Sequence, residues 1–215
     1  MNTQQGEWTM PDLITAAQSA EAIDKSIGII AKMIGKLKAQ PDIAALKLGQ
    51  ALEEVAKTLQ VVDGAASSYL SLGIDEGALE KNSKLLLDIE TGQLKTDVES
   101  GLGHCHRIWH IYENYLNKWF SRVLSKDEQT AMRKVFFELG NADDELFDDL
   151  ADVAGILQNE AKEVLNLVVK GQKEEARKRV LELLQPLRPL RTTIAGTMQK
   201  LYSLKNEFAQ MAGAA

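Results

Sequence analysis

The sequence predicts an all-α fold, an elongated antiparallel bundle of about five long helices, some kinked or broken, with coiled-coil-like seams. Three observations carry this reading. Apolar residues recur at alternating steps of three and four over long intervals, a spacing that lines side chains along one face of an α-helix. No proline lies between Pro41 and Pro186, so a long interval lacks the residue that most disrupts a helix. No stretch shows the period-two alternation of a half-buried strand.

Residues 1–10 read as a flexible lead-in, 11–211 as a single helical bundle (11–72 a helical hairpin, 78–211 the remaining helices) and 212–215 as a frayed tail. Pro11 and Asp12 open the first helix, where the missing proline N–H had no partner to lose. Its seam is Leu13, Ala16, Ala20, Ile23, Ile27, Ile30, Ile34 and Leu37. Gln40 and Pro41 then turn the chain into a second helix with the seam Ala45, Leu48, Leu52, Val55, Leu59, Val62, Ala66 and Tyr69. So short a turn predicts that the two helices pair.

Gly73 and Gly77 mark the next break. Gly92, Gly101 and Gly103 interrupt the pattern that follows, so the spacing predicts either two segments, 78–91 and 94–124, or one bent helix. Val98, Leu102, Cys105, Trp109, Tyr112, Leu116, Trp119 and Val123 form one stripe there. This region holds all three histidines, the single cysteine and five of the twelve aromatics, and it is expected to be the central post.

Ser125-Lys-Asp-Glu128 fits a capping box, so a helix restarts there. It is expected to stop at Gly140, with Asn141 capping a successor that runs to Lys170. The successor's seam is Leu146, Leu150, Val153, Leu157, Ala161, Val164 and Val168. After Gly171 the last helix carries the longest stripe, from Ala176 through Val180, Leu183, Leu187, Leu190, Ile194, Thr197, Leu201, Leu204 and Phe208 to Met211. Pro186 and Pro189 fall off it, which predicts a kink and not a new domain.

Composition bounds the function. At 215 residues, 45% hydrophobic and 26% charged, the chain can bury a core without disulfides or metal. A net charge of −6 speaks against a nucleic-acid surface, which needs a clustered basic field. One cysteine allows no internal disulfide and fits a reducing compartment. Met1–Glu7 has neither the basic start nor the apolar core of a signal peptide, and the expected location is cytoplasmic.

Three candidate sites emerge. His106, His110 and Glu113, about one turn apart, could ligate a transition metal with Asp143 or Asp144 from the returning helix. Asp143, Asp144, Glu145, Asp148, Asp149 and Asp152 form an acidic run suited to a basic partner, unless Arg188, Arg191 and Lys200 of the last helix neutralise it. Ile27, Ile30 and Ile34, opposite Lys32 and Lys36, compose a face that could contact a membrane surface. Asp88-Ile-Glu-Thr-Gly-Gln93 is similar to a six-residue motif of helical extracellular sensor domains of bacterial receptors. Leu94 and Lys95 stand where arginine and glycine usually follow it, and the resemblance implies no ligand here.

No nucleophile elbow, phosphate-binding loop or dinucleotide fingerprint occurs, so the expectation is no enzyme activity and no cofactor. The leading function is a non-enzymatic interaction or scaffold protein that binds a protein partner or a second copy of itself. The alternatives are a membrane-acting bundle using residues 23–38, and a small-molecule or metal sensor.

Overall fold

The apolar stripes become the inner faces of long rods in a computed structural model of the chain, which describes residues 10–34, 43–73 and 77–213. Helix α1 (Met10–Ile34) buries Leu13, Ala16, Ala20, Ile23, Ile27, Ile30 and Ile34. Leu37, the last of that series, lies outside the described residues. Helix α2 (Ile43–Leu72) buries all eight residues of its seam, from Ala45 to Tyr69. No strand occurs among the described residues.

The third rod is broken into α3 (Ala78–Lys81), α4 (Ser83–Thr91), α5 (Leu94–Glu99), α6 (His104–Ile111), a π-helical turn (Tyr112–Leu116) and α7 (Asn117–Val123). The fourth is α8 (Lys126–Val169), the fifth α9 (Lys173–Met211). At the head of α8 the capping box forms as read. Ser125 Oγ accepts from Glu128 N at 3.4 Å, and Ser125 N donates to Glu128 Oε2 at 3.0 Å. At its foot Gly171, at φ 76°, lets Gln172 N reach Leu167 O at 2.9 Å and Gly171 N reach Val168 O at 3.0 Å. That paired closure is the left-handed stop that glycine permits. Helix α9 then continues through Pro186 and Pro189 without losing its stripe.

Side-chain bridges fix the directions of the rods. Lys200 bonds Asp24 and Thr197 reaches Ala20 O, so α1 and α9 run parallel. Lys205 meets Glu53 and Arg191 meets Asp63, so α2 runs against α9. Gln158 reaches Gly92 O and Arg133 meets Glu113, so the broken rod runs down α8 in the opposite sense. Around the bundle the packing order is α1, α9, α2, the broken rod and α8, which returns to α1.

Three expectations are corrected. The 11–72 segment does not pack as a hairpin: α1 lies on α8 and α9, whereas α2 lies across α9 and against the broken rod. A heptad stripe shows that a helix has a partner but not which one. The stretch from Val98 to Val123 is likewise no single post. It breaks at Ser100–Gly103, where Gly101 lies so close to Thr58 and Phe147 that a Cβ would come within 2.8 Å of them. Leu102 and Val123 are exposed, and it is α8 that packs against every other rod.

The third correction is at Gly140, which does not end a helix, because α8 is continuous from Lys126 to Val169. A Cβ at this position would stand 2.7 Å from Trp109 Cβ, and Cys105 O is 3.8 Å away. The glycine serves close approach of α6 to α8.

This contact makes a testable contrast with Gly196, where a Cβ would meet nothing within 4 Å. Gly196→Ala should raise stability by up to about 1 kcal/mol through helix propensity. At Gly140 the same change brings a clash costing about 1–3 kcal/mol, which outweighs the propensity gain. Urea denaturation should therefore move the two midpoints in opposite directions. A matching rise in both would show that packing does not select Gly140.

Candidate functional site

The histidine trio starts on one helix, but the helix does not stay regular. His106 and His110 are exposed on α6. Glu113 falls within the π turn, whose wider winding breaks the three-residue relation to His110 that an α-helix would keep. Its carboxylate turns to Arg133 of α8 at 3.3 Å. Asp144 is exposed, and the Asp143 side chain lies outside those described. Among the described residues no group of three or more His, Cys, Asp and Glu is placed to hold a metal ion. His104 stands apart, edge-on to Phe147 at 6.3 Å between ring centres.

The acidic run presents more charge than its sequence neighbours suggested. Asp144, Glu145, Asp148 and Asp152 are exposed on α8. Asp149 is half-buried against α1 and accepts a hydrogen bond from Ser19 Oγ at 2.5 Å. Burial pushes its carboxyl above the usual aspartate range. The Ser19 bond opposes this shift, while Asp152, Glu145 and Asp148 add to it.

The bases expected to neutralise the run are engaged elsewhere. Arg191 Nε lies 3.1 Å from Asp63 and 2.8 Å from Ser67 Oγ, both on α2, and Lys200 Nζ lies 2.6 Å from Asp24 on α1. Arg188 is exposed. The reason is topological: α1 and α2 flank that half of α9, and the ion pair joining α8 to α9 lies near their shared turn. There Arg179 holds Glu160 in a two-pronged pair at 2.6 and 2.8 Å. Among the described residues none of Asp144, Glu145, Asp148 and Asp152 forms a salt bridge with α9.

The membrane-contact face is spent inside the bundle. Ile27, Ile30 and Ile34 are core residues of α1, and Lys32 faces solvent. Lys36 lies outside the described residues. No helix among the described residues is long and apolar enough to cross a membrane.

Sequence reasoning missed two grooves. One, of about 480 Å³, lies between α1 and α9 and is lined by Ile14, Ala17, Glu21, Pro186, Pro189 and their neighbours. Its signal was available in the two prolines that leave the α9 seam, but pairing α1 with α2 hid it. The other, of about 430 Å³, lies between α2 and α4–α5 and contains Gln60, Gly64, Asp88, Gly92 and Asp97. The Asp88–Gln93 motif forms part of this wall, and Gln158 Nε2 of α8 donates to its Gly92 O at 2.7 Å.

The aromatics concentrate where α6 and the π turn meet α8. Tyr112 stacks on Phe136 at 4.4 Å and on Trp109 at 5.6 Å, and Phe137 meets Trp109 edge-on. The phenol of Tyr112 is fully buried and its ionisation is pushed upward by that burial. Its Oη has no hydrogen-bond partner among the described residues.

Asp149 gives a pH signature. A carboxyl whose folded pKa is raised binds protons more readily when folded, so its stabilising effect is complete below the ordinary aspartate value and is lost as pH rises through the folded value. Asp149→Asn retains an acceptor for Ser19 and abolishes this titration. The variant should be at least as stable as the parent at neutral pH and should lose part of the parent's stability decline above pH 3.8. Thermal melts of both proteins across the acidic range check this; parallel profiles would refute it.

Comparison of the chain with protein-family models, with curated proteins and with solved structures gives no match in any of the three.

Proposed function

We propose that this protein is a non-enzymatic interaction module of the cytoplasm, a helical scaffold that offers the acidic face of α8 to a basic protein partner. One observation carries the reading. Asp144, Glu145, Asp148 and Asp152 stay exposed, while Arg191 and Lys200, the bases the sequence places nearest, are held by α2 and α1. Like charges repel, so two copies of this face do not suit each other, and a partner of opposite sign does. Such a surface chiefly speeds encounter and excludes wrong partners, and it weakens with salt.

The membrane reading asks more of the fold. Ile23, Ile27, Ile30 and Ile34 would have to leave the core, at about 1.5–3 kcal/mol for each side chain. The acidic surface would also be repelled by anionic lipid.

The test uses a fluorescent arginine-rich helical peptide and the full chain, with anisotropy read at low and high salt. Combined Asp144→Asn, Glu145→Gln, Asp148→Asn and Asp152→Asn should weaken binding by about tenfold or more, equivalent to about 1.4 kcal/mol. Glu174→Gln with Glu175→Gln, two exposed acids at the start of α9, should change it little. Weakening by the second set half as large on a logarithmic scale, in proportion to the two charges removed against four, would mean that the peptide reads net charge and no particular face.

A further inference from the structure

The third rod carries two apolar faces offset by one residue, and the π turn decides which is buried. The faces share Tyr112 and Leu116, both fully buried. Beyond them an unbroken α-helix, turning about 100° per residue, would continue the stripe through Trp119 and Val123. The π turn of Tyr112–Leu116 closes its hydrogen bonds one residue later than an α-helix and so accommodates an extra residue. That surplus turns α7 back by about one position. Phe120 and Leu124 face the core at 0% and 8% exposure, Val123 is 52% exposed and Trp119 remains at the rim.

We propose that residues 112–124 form a two-register switch, in which the π turn relaxes to α-helix and α7 rotates to exchange Phe120 and Leu124 for Trp119 and Val123 in the core. Each register buries one aromatic and one aliphatic side chain, so their packing energies lie close, which is the condition for two arrangements of one sequence. The rings to be exchanged already touch, with Trp119 and Phe120 centres 5.1 Å apart.

Tyr112 and Leu116 stay buried in either register and act as the fixed point about which α7 turns. The moving element is short and packs mainly on the π turn and α8. It ends at Leu124 and Ser125, both extended, with φ/ψ of −106°/149° and −62°/162°. Ser125 belongs to the capping box, so a one-residue slip is taken up at Leu124 and breaks the 2.8 Å bond from Gln129 Nε2 to Leu124 O. The switch changes which apolar side chains reach the surface while the rest of the bundle stays folded.

Thiol labelling of the full chain under native conditions tests the switch. The thiol introduced by Leu124→Cys, nearly buried here, should react about tenfold or more faster than native Cys105, which is fully buried upstream of the π turn. Val123→Lys is tolerated in the present register, where Val123 faces solvent, but would bury an ammonium in the other. It should slow labelling at position 124 by about tenfold and leave Cys105 unchanged, since only the slipped register is penalised. Deleting Asn114, an exposed residue of the π turn, removes the surplus residue and should slow labelling likewise. Labelling that is indifferent to Val123→Lys, as end fraying would give, overturns the switch, as does labelling no faster than that of Cys105. Should circular dichroism show the deletion variant unfolded, the Val123→Lys result decides alone.

Discussion

Burial of the α9 stripe is the constraint from which the placement of the other rods follows. From Ala176 to Met211 every position of that stripe is buried. At about 1.5 Å per residue a helix of this length extends roughly 58 Å, whereas α1 covers roughly 38 Å. No single neighbour the size of α1 can shield it. Helices α1 and α2 therefore flank it on separate sides, with α8 closing near the turn. Once α9 holds both, α1 and α2 have no need to meet, although they are consecutive in the chain.

Much of this was legible in the sequence, and what was not failed for identifiable reasons. The buried faces of α1, α2 and α9 follow the three-four spacing wherever they are described, because burial alone writes that period into a helix. Gly140 was misread because a glycine that ends a helix and a glycine that admits a neighbouring backbone are the same letter. The stripe from Val98 to Val123 was misread beyond Leu116 because a π turn changes the period without changing the residues. Of the acidic run, Asp144, Glu145, Asp148 and Asp152 are exposed and Asp149 is half-buried, while Arg191 and Lys200, the bases assigned to it, pair with α2 and α1. Charge pairing depends on which rods are neighbours, and no stripe encodes that.

The ion pairs show the same division between what stabilises and what selects. Lys200 with Asp24, Lys205 with Glu53 and Arg191 with Asp63 tie α9 to α1 and α2, yet the bases are partly exposed. Pairs of this kind contribute about 0–1 kcal/mol each. Their value lies in register, since a slip of α9 along α2 would separate several at once. Glu160 differs, being only 3% exposed, and without Arg179 its charge would be stranded in the core. By engaging the bases of α9 on the other helices, these bridges leave the α8 carboxylates facing water.

Parity explains why the larger apolar groove lies where it does. Consecutive rods reverse direction, but a closed ring of five cannot alternate throughout, so one neighbouring pair must run parallel. That pair is α1 and α9, the first and last rods. Parallel neighbours align their dipoles unfavourably, and no short turn between them dictates their spacing. Along this seam α1 supplies Ala17, which lines the groove, and Ala20, whose carbonyl accepts from Thr197, and α9 supplies Pro186 and Pro189, which cannot complete its hydrogen-bond ladder. Small residues facing a helix that bears prolines leave space unfilled, and the groove beside Ile14 and Ala17 is that space. The odd number of rods thus requires one parallel pair, the order around the ring makes it α1 and α9, and the small residues and prolines along that pair open the groove.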